Sequence, residues 1–222
     1  MAQIKQNDFV LLEFTAKLKD SGEVFDTSNE AVAKEADIYN AQMPYGQYIV
    51  CIGKKQILPK LEEFLAGKEL GKEYEVELKP EDAFGKKDAK LLKLVPTKFF
   101  TKENIQPVAG LQVNIDGTIG KIMTVTGGRT IVDFNHPLSS KEVLYALKPN
   151  KIIEDTKEKV KAYLRIGYSM QNVDAEIKEK TANVRLDKNI FENMSDEIKQ
   201  ELQKELVETI AEIDKVEFSE KK

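Results

Sequence analysis

The side chains that most often do chemistry are scarce in this sequence. It contains one histidine, His136, and one cysteine, Cys51. Two such residues cannot assemble the clustered nitrogen and sulfur ligands of a zinc site, and HExxH and CxxC are both absent. No GxxxxGK[ST] loop and no GxGxxG after a strand is present to cradle a phosphate. Any reaction carried out here must need few protonic or metallic groups, so no metal and no cofactor is expected. Taken singly, the remaining candidates read as architecture. Cys51 lies in the apolar run Tyr48-Ile49-Val50-Cys51-Ile52 and is most simply core. His136 precedes Pro137 and reads as a hinge. Asp26 is placed to cap a turn with Ser28, and Phe25 and Phe84 read as core.

The elements that must position these residues are legible from periodicity. In Phe9–Leu18 apolar and polar positions roughly alternate, the turn Lys19-Asp20-Ser21-Gly22 follows, and Glu23-Val24-Phe25-Asp26 resumes an extended run. Residues 27–44 have no steady period and read as a loop or short helix. Tyr48–Ile52 reads as a strand stopped by Gly53. Pro59–Ala66 reads as a short helix, with Pro59 in its first turn and Gly67 just beyond its end. Tyr74, Val76 and Leu78 alternate with charged residues in a half-buried strand. Over 86–136, eight basic residues face four acidic ones, whereas 1–85 carry ten against sixteen. Here Lys121–Thr126 and Arg129–Phe134 flank Gly127-Gly128, a hairpin signal. Beyond Asn150 the pattern becomes helix, strand, helix. Asp155 or Thr156 and Ser195 are the N-caps, 172–186 is extended, and Lys215–Phe218 is a closing strand. Ile198, Leu202, Leu206, Ile210 and Ile213 form one helical stripe.

The overall net charge of -4 excludes a nucleic-acid binder working by bulk positive charge. No apolar run approaches the roughly 18 residues that span a bilayer. The start, Met1-Ala2-Gln3-Ile4-Lys5, has no apolar signal region, and one cysteine agrees with a reducing compartment, so a cytoplasmic protein is expected.

Five ordered motifs give these elements a collective meaning. Val24-Phe25-Asp26-Thr27-Ser28, Ile52–Pro59, Gly67–Lys72, Lys79–Gly85 and Asn135-His136-Pro137-Leu138-Ser139-Ser140-Lys141 resemble the successive signatures of FKBP-type peptidyl-prolyl isomerases. The last is similar to the segment with which SlyD-like members return to the FKBP barrel, and the tail resembles the extension of long archaeal members. The resemblance implies an α+β fold, an FKBP-like antiparallel sheet wrapped on a short helix. Its domains would be 1–85 with 137–154 (isomerase), 86–136 (a small inserted β domain, the insert-in-flap chaperone unit) and 155–222 (a C-terminal helix–strand–helix domain).

Carried over residue by residue, the resemblance places Phe25, Asp26, Ile57, Phe84 and Tyr145 at the catalytic centre, with the Ile57 amide as hydrogen-bond donor. Phe14, Tyr48, Leu58 and Leu61 would line the substrate pocket. Phe14 and Phe84 stand where the family commonly has Tyr, which removes two hydroxyls and puts tight macrolide binding in doubt. In the insert, Phe99, Phe100, Ile122 and Met123 are expected to be exposed and to bind clients, together with Ile105, Val108 and Leu111. The implied activity is X–Pro isomerisation with holdase or foldase activity on unfolded polypeptides, and the alternative is a pure holdase with little turnover. The partners expected are unfolded chains containing X–Pro bonds, with neither nucleic acid nor membrane. The tail stripe further predicts a homodimer through residues 155–222.

Overall fold

The structure, a computed structural model, describes residues 3–43, 45–46 and 48–221. Met1, Ala2, Pro44, Gln47 and Lys222 lie outside the described residues, and with them the first two positions of the N-terminal reading and the end of the 27–44 segment. The chain divides into two units: Met1–Leu78 with Val143–Lys222, and Lys79–Glu142.

In the first unit, strand β1 (Phe9–Leu18) turns Leu12, Phe14, Ala16 and Leu18 inward and Glu13 and Lys17 outward. This is the alternation of a sheet with one wet face. β2 (Val24–Thr27) returns antiparallel to it. Helix α1 (Glu30–Glu35) resolves the ambiguous segment, because the Asn29 side chain accepts from the amides of Ala31 and Val32. β3 (Ile49–Cys51) pairs with the opening of β1, and α2 (Pro59–Leu65) buries Leu61 and Leu65. β4 (Tyr74–Leu78) ends this first pass.

The second unit is a four-stranded antiparallel sheet. Its strands are β5 (Leu92–Pro96), β6 (Gln112–Ile115), β7 (Thr118–Thr126) and β8 (Arg129–Asp133), in the order β5-β8-β7-β6. Gly127 and Gly128 form the β7–β8 turn at φ 56° and 78°, the left-handed pair such a hairpin requires. Helix α3 (Thr97–Lys102) supplies Phe100 to a small core with Val113, Ile122 and Val132. This corrects two expectations. Phe100 and Ile122 are 0% exposed and hold the unit together, because fifty residues have few other apolar groups to bury. Phe99 and Met123 are exposed as expected, at 44% and 43%. Met123 stands at a bulge in β7, where the register slips between Ile122 and Thr124.

β9 (Val143–Ile152) then completes the first unit's sheet, lying between β1 and β4 in the order β2-β1-β9-β4. α4 (Thr156–Tyr168) is capped by the Asp155 carboxylate, which accepts the Glu158 amide at 2.8 Å. The extended 172–186 segment is a hairpin, β10 (Asp174–Lys178) and β11 (Thr181–Leu186), turning at left-handed Glu179 and Lys180. α5 (Lys188–Asn193) and α6 (Asp196–Thr209) carry the chain to β12 (Lys215–Glu220), parallel to β11. The tail stripe is spent inside the chain. Leu202, Leu206, Ile210 and Ile213 are buried in one cluster with Phe9, Ile49 and Cys51 of the first pass and with Ile153, just after β9. Ile198 alone of the five is exposed, at 46%. The apolar face that predicted pairing with a second copy is therefore covered by the chain itself.

Candidate functional site

Four rings and one carboxylate gather on the sheet of the first unit. Phe14 on β1 meets Tyr48 edge-on at 5.0 Å between centroids, and lies 6.5 Å from Tyr145 on β9. Phe25 on β2 meets Tyr145 edge-on at 6.1 Å. These are the offset geometries that aromatic rings prefer. The strands explain the grouping. Ala16 sits directly across from Tyr145 and Leu147 across from Phe14, so opposite residues share the inner face. The small Ala16 leaves the tyrosine ring its space.

Consecutive residues of a strand normally face opposite sides, yet Phe25 and Asp26 both serve this group. The reason is a slip in register: Ala16 pairs with Asp26, but Lys17 pairs with Val24. Phe25 is the extra residue of a bulge, which re-aims neighbouring side chains. Asp26, half-buried, accepts from the Thr27 amide, and burial pushes its carboxyl above the ordinary range. Burial, then the Asp26 charge, pushes the Tyr48 phenol up to about 12 and raises that of Tyr145 as well. Both phenols are thus neutral donors at physiological pH.

Buried polar groups pin the wall. The Phe14 amide donates to Ser28 Oγ (2.8 Å), while the Ser28 amide (3.0 Å) and Thr27 Oγ1 (2.9 Å) donate to the Phe14 carbonyl. Ile57 and Leu58 are half-buried on the turn into α2, and Leu61 is buried in its first turn. The turn is held by buried Glu62, whose two carboxylate oxygens accept the amides of Gly53 (2.9 Å) and Gln56 (3.0 Å). Among the described residues nothing accepts the Ile57 amide proton. Thr27, Ser28, Gln56 and Glu62 were not foreseen from the sequence. The one available signal was an acid four residues past Leu58 at a helix start, and helix starts draw acids for their own reasons.

Phe84 lies in the second unit, its ring parallel to that of His136 at 4.8 Å between centroids. His136 Nδ1 accepts the Leu138 amide at 3.2 Å, and Ser139 Oγ donates to the Phe84 carbonyl at 3.3 Å. Phe99 and Met123 belong to the exposed apolar surface of this unit, with Leu94, Val108 and Ile119.

Set beside known proteins, residues 1–101 match the family model described as FKBP-type peptidyl-prolyl cis-trans isomerase, and residues 93–138 match "FKBP26, IF domain". The short-type peptidyl-prolyl cis-trans isomerase of Methanocaldococcus jannaschii is 33% identical over 145 residues, 65% of this chain and 91% of that protein. The chain belongs to the FKBP-type peptidyl-prolyl cis-trans isomerase family. SlyD of Pasteurella multocida is 30% identical over 112 residues, 49% of this FKBP-type chain and 56% of its own length. A probable FKBP-type 16 kDa isomerase of Pseudomonas fluorescens is 25% identical over 148 residues, 64% of the chain and 87% of that protein. The FKBP-type match and the IF-domain match meet at residues 93–101, after β4 and before β9 closes the sheet. Among the described residues no helix of this FKBP-type chain is long and apolar enough to cross a membrane.

Proposed function

We propose that the chain isomerises X–Pro peptide bonds at the wall formed by Phe14, Phe25, Asp26, Tyr48 and Tyr145, with Ile57, Leu58 and Leu61 completing the pocket. The barrier to rotation of a prolyl amide, ~18–20 kcal/mol, is held up by resonance. The twisted transition state has lost that resonance and much of its charge separation, so an apolar, water-poor pocket favours it over the planar amide. An acceleration of about 10⁴ needs about 5.5 kcal/mol of such preference. Burial of the prolyl ring against the rings, with a hydrogen bond from the Ile57 amide, supplies it. The observation that carries this reading is the bulge that puts Phe25 and Asp26 together beside Tyr145.

The same reading gives residues 86–136 a holding role. Leu94, Phe99, Val108, Ile119 and Met123 are exposed there, Ile119 at 67%, and the surrounding charge is basic. Apolar exposure of this kind marks an interaction surface. An unfolded client held there would have its prolyl bonds delivered to the pocket.

A protease-coupled or NMR exchange assay on a short X–Pro peptide tests the first part. The chain is expected to accelerate exchange, and Phe25→Ala to lower kcat/KM at least roughly tenfold. A folded chain without acceleration reduces the reading to holding alone. For the second part, residues 86–136 are replaced by a short turn. Short-peptide turnover is then expected to persist while aggregation suppression falls. Equal loss of both would place the two activities in one site.

A further inference from the structure

We infer that helix α4 is a positioning element of the isomerase site, fixing through the Gln56 side chain the peptide unit that presents the Ile57 amide. The inference rests on the reading of Ile57 as donor given above. Three observations carry it. The peptide that contains the Ile57 N–H also contains the Gln56 carbonyl, so whatever orients Gln56 orients the donor. The Gln56 side chain spans two elements: its Oε1 accepts the Cys51 amide at 2.8 Å, and its Nε2 is directed at the Tyr163 carbonyl of α4, at 3.5 Å. The backbone alone does not hold this turn in a relaxed shape, since Lys55 stands in the left-handed region at φ 56°.

The sequence of α4 is fitted to this contact. Gly167 lies within the last turn of the helix, where glycine is a poor choice on propensity. A Cβ there would come within 3.1 Å of Gln56 Nε2. The missing side chain lets the glutamine lie against the helix. Beside it opens a cleft of about 490 Å³, lined in part by Lys55, Gln56, Gly167, Tyr168 and Glu205, so the turn has room to move if the glutamine lets go. A hydrogen bond to a substrate weakens steeply with angle, and a donor must be held to about 0.5 Å to count in a transition state. The C-terminal segment thus takes part in the chemistry at a distance, by immobilising a donor on another element.

The test uses full-length chain and the short-peptide assay, with separate kcat and KM, a thermal melt and the ¹H–¹⁵N resonance of Ile57. Gln56→Glu keeps an oxygen for the Cys51 amide but sets a carboxylate against the Tyr163 carbonyl. Gly167→Val crowds Nε2 from the other side. Both are expected to lower kcat roughly three- to tenfold with KM changed less than about twofold, and to shift the Ile57 resonance. Gly167→Ala should hold or raise the melting temperature while lowering kcat, because alanine favours the helix that it pushes toward the glutamine. Wild-type kcat in Gln56→Glu overturns the proposal even if Gly167→Val fails to fold. A wild-type chain with no isomerase activity overturns the reading of the site and this proposal with it, whereas an active wild type with unaffected variants overturns this proposal alone.

Discussion

Asp26, placed in the proposed pocket, acts against the fold that holds it. Burial raises its pKa, so the native state binds its proton more tightly than the unfolded chain does. Between the ordinary carboxylate value and the raised one, the native state carries more protons, and stability falls as pH rises. At neutral pH the charged Asp26 is therefore a net cost. Asp26→Asn keeps the shape and the acceptor for the Thr27 amide, and is expected to raise the melting temperature at pH 7 while lowering peptide turnover at least roughly tenfold. Melts and assays on one preparation decide it, and a variant that is both less stable and fully active removes Asp26 from the site. At this scale Phe25 and Asp26 were legible only as members of an ordered motif series. Phe100 and Ile122 were not legible as core, because an apolar residue in a small sheet looks the same in sequence whichever face it takes. The pins Thr27 and Ser28 escaped notice because short hydroxyl residues are common in turns, and burial is what makes theirs matter.

Helix α6 marks the limit of what an element discloses about its surroundings. Its cap at Ser195, whose side chain accepts the Ile198 amide, and its stripe were legible, because caps and periodicity are local. What covers the stripe was not, since that depends on strands far away in sequence. The structure places Leu206 in a cluster that also contains Phe9 and Cys51, and leaves Ile198 in solvent. Leu206→Ala is accordingly expected to destabilise the chain by about 2–5 kcal/mol, and Ile198→Ala by no more than about 0.5 kcal/mol. Urea titrations measure both, and similar values for the two would contradict the packing. β5 and α3 went unforeseen because Pro96 breaks the run between them and six residues are too few to establish a helical period.

The whole molecule should be sensitive to alkali rather than to mild acid. Burial, as the largest cause in each case, holds the Cys51 thiol up to about 12 from 9.0 and the Tyr48 phenol up to about 12 from 10.0. As pH rises past 9 for the thiol and past 10 for the phenol, the unfolded chain releases the proton while the native chain keeps it. Each group then removes stability at about 1.4 kcal/mol per pH unit until its native value is reached. Denaturation midpoints at pH 8, 9, 10 and 11 are expected to hold at first and then decline, with Cys51→Ala delaying the onset. A flat profile would mean that the thiol is hydrated. One feature of the connectivity bears on how the molecule assembles. Leu78 and Val143 are direct partners on β4 and β9, although residues 79–142 lie between them. Closing so long a loop of flexible chain carries an entropic penalty that grows with its length. The penalty shrinks if the intervening segment has already folded, because its own ends then meet, as the Ser140 amide does with the Gly85 carbonyl at 2.8 Å. Nascent chain emerging from a ribosome also releases 79–142 before β9 exists. The sheet of the first unit therefore waits on the folding of residues 79–142: a segment that interrupts the sheet in sequence spares it, once folded, a long search for its last strand.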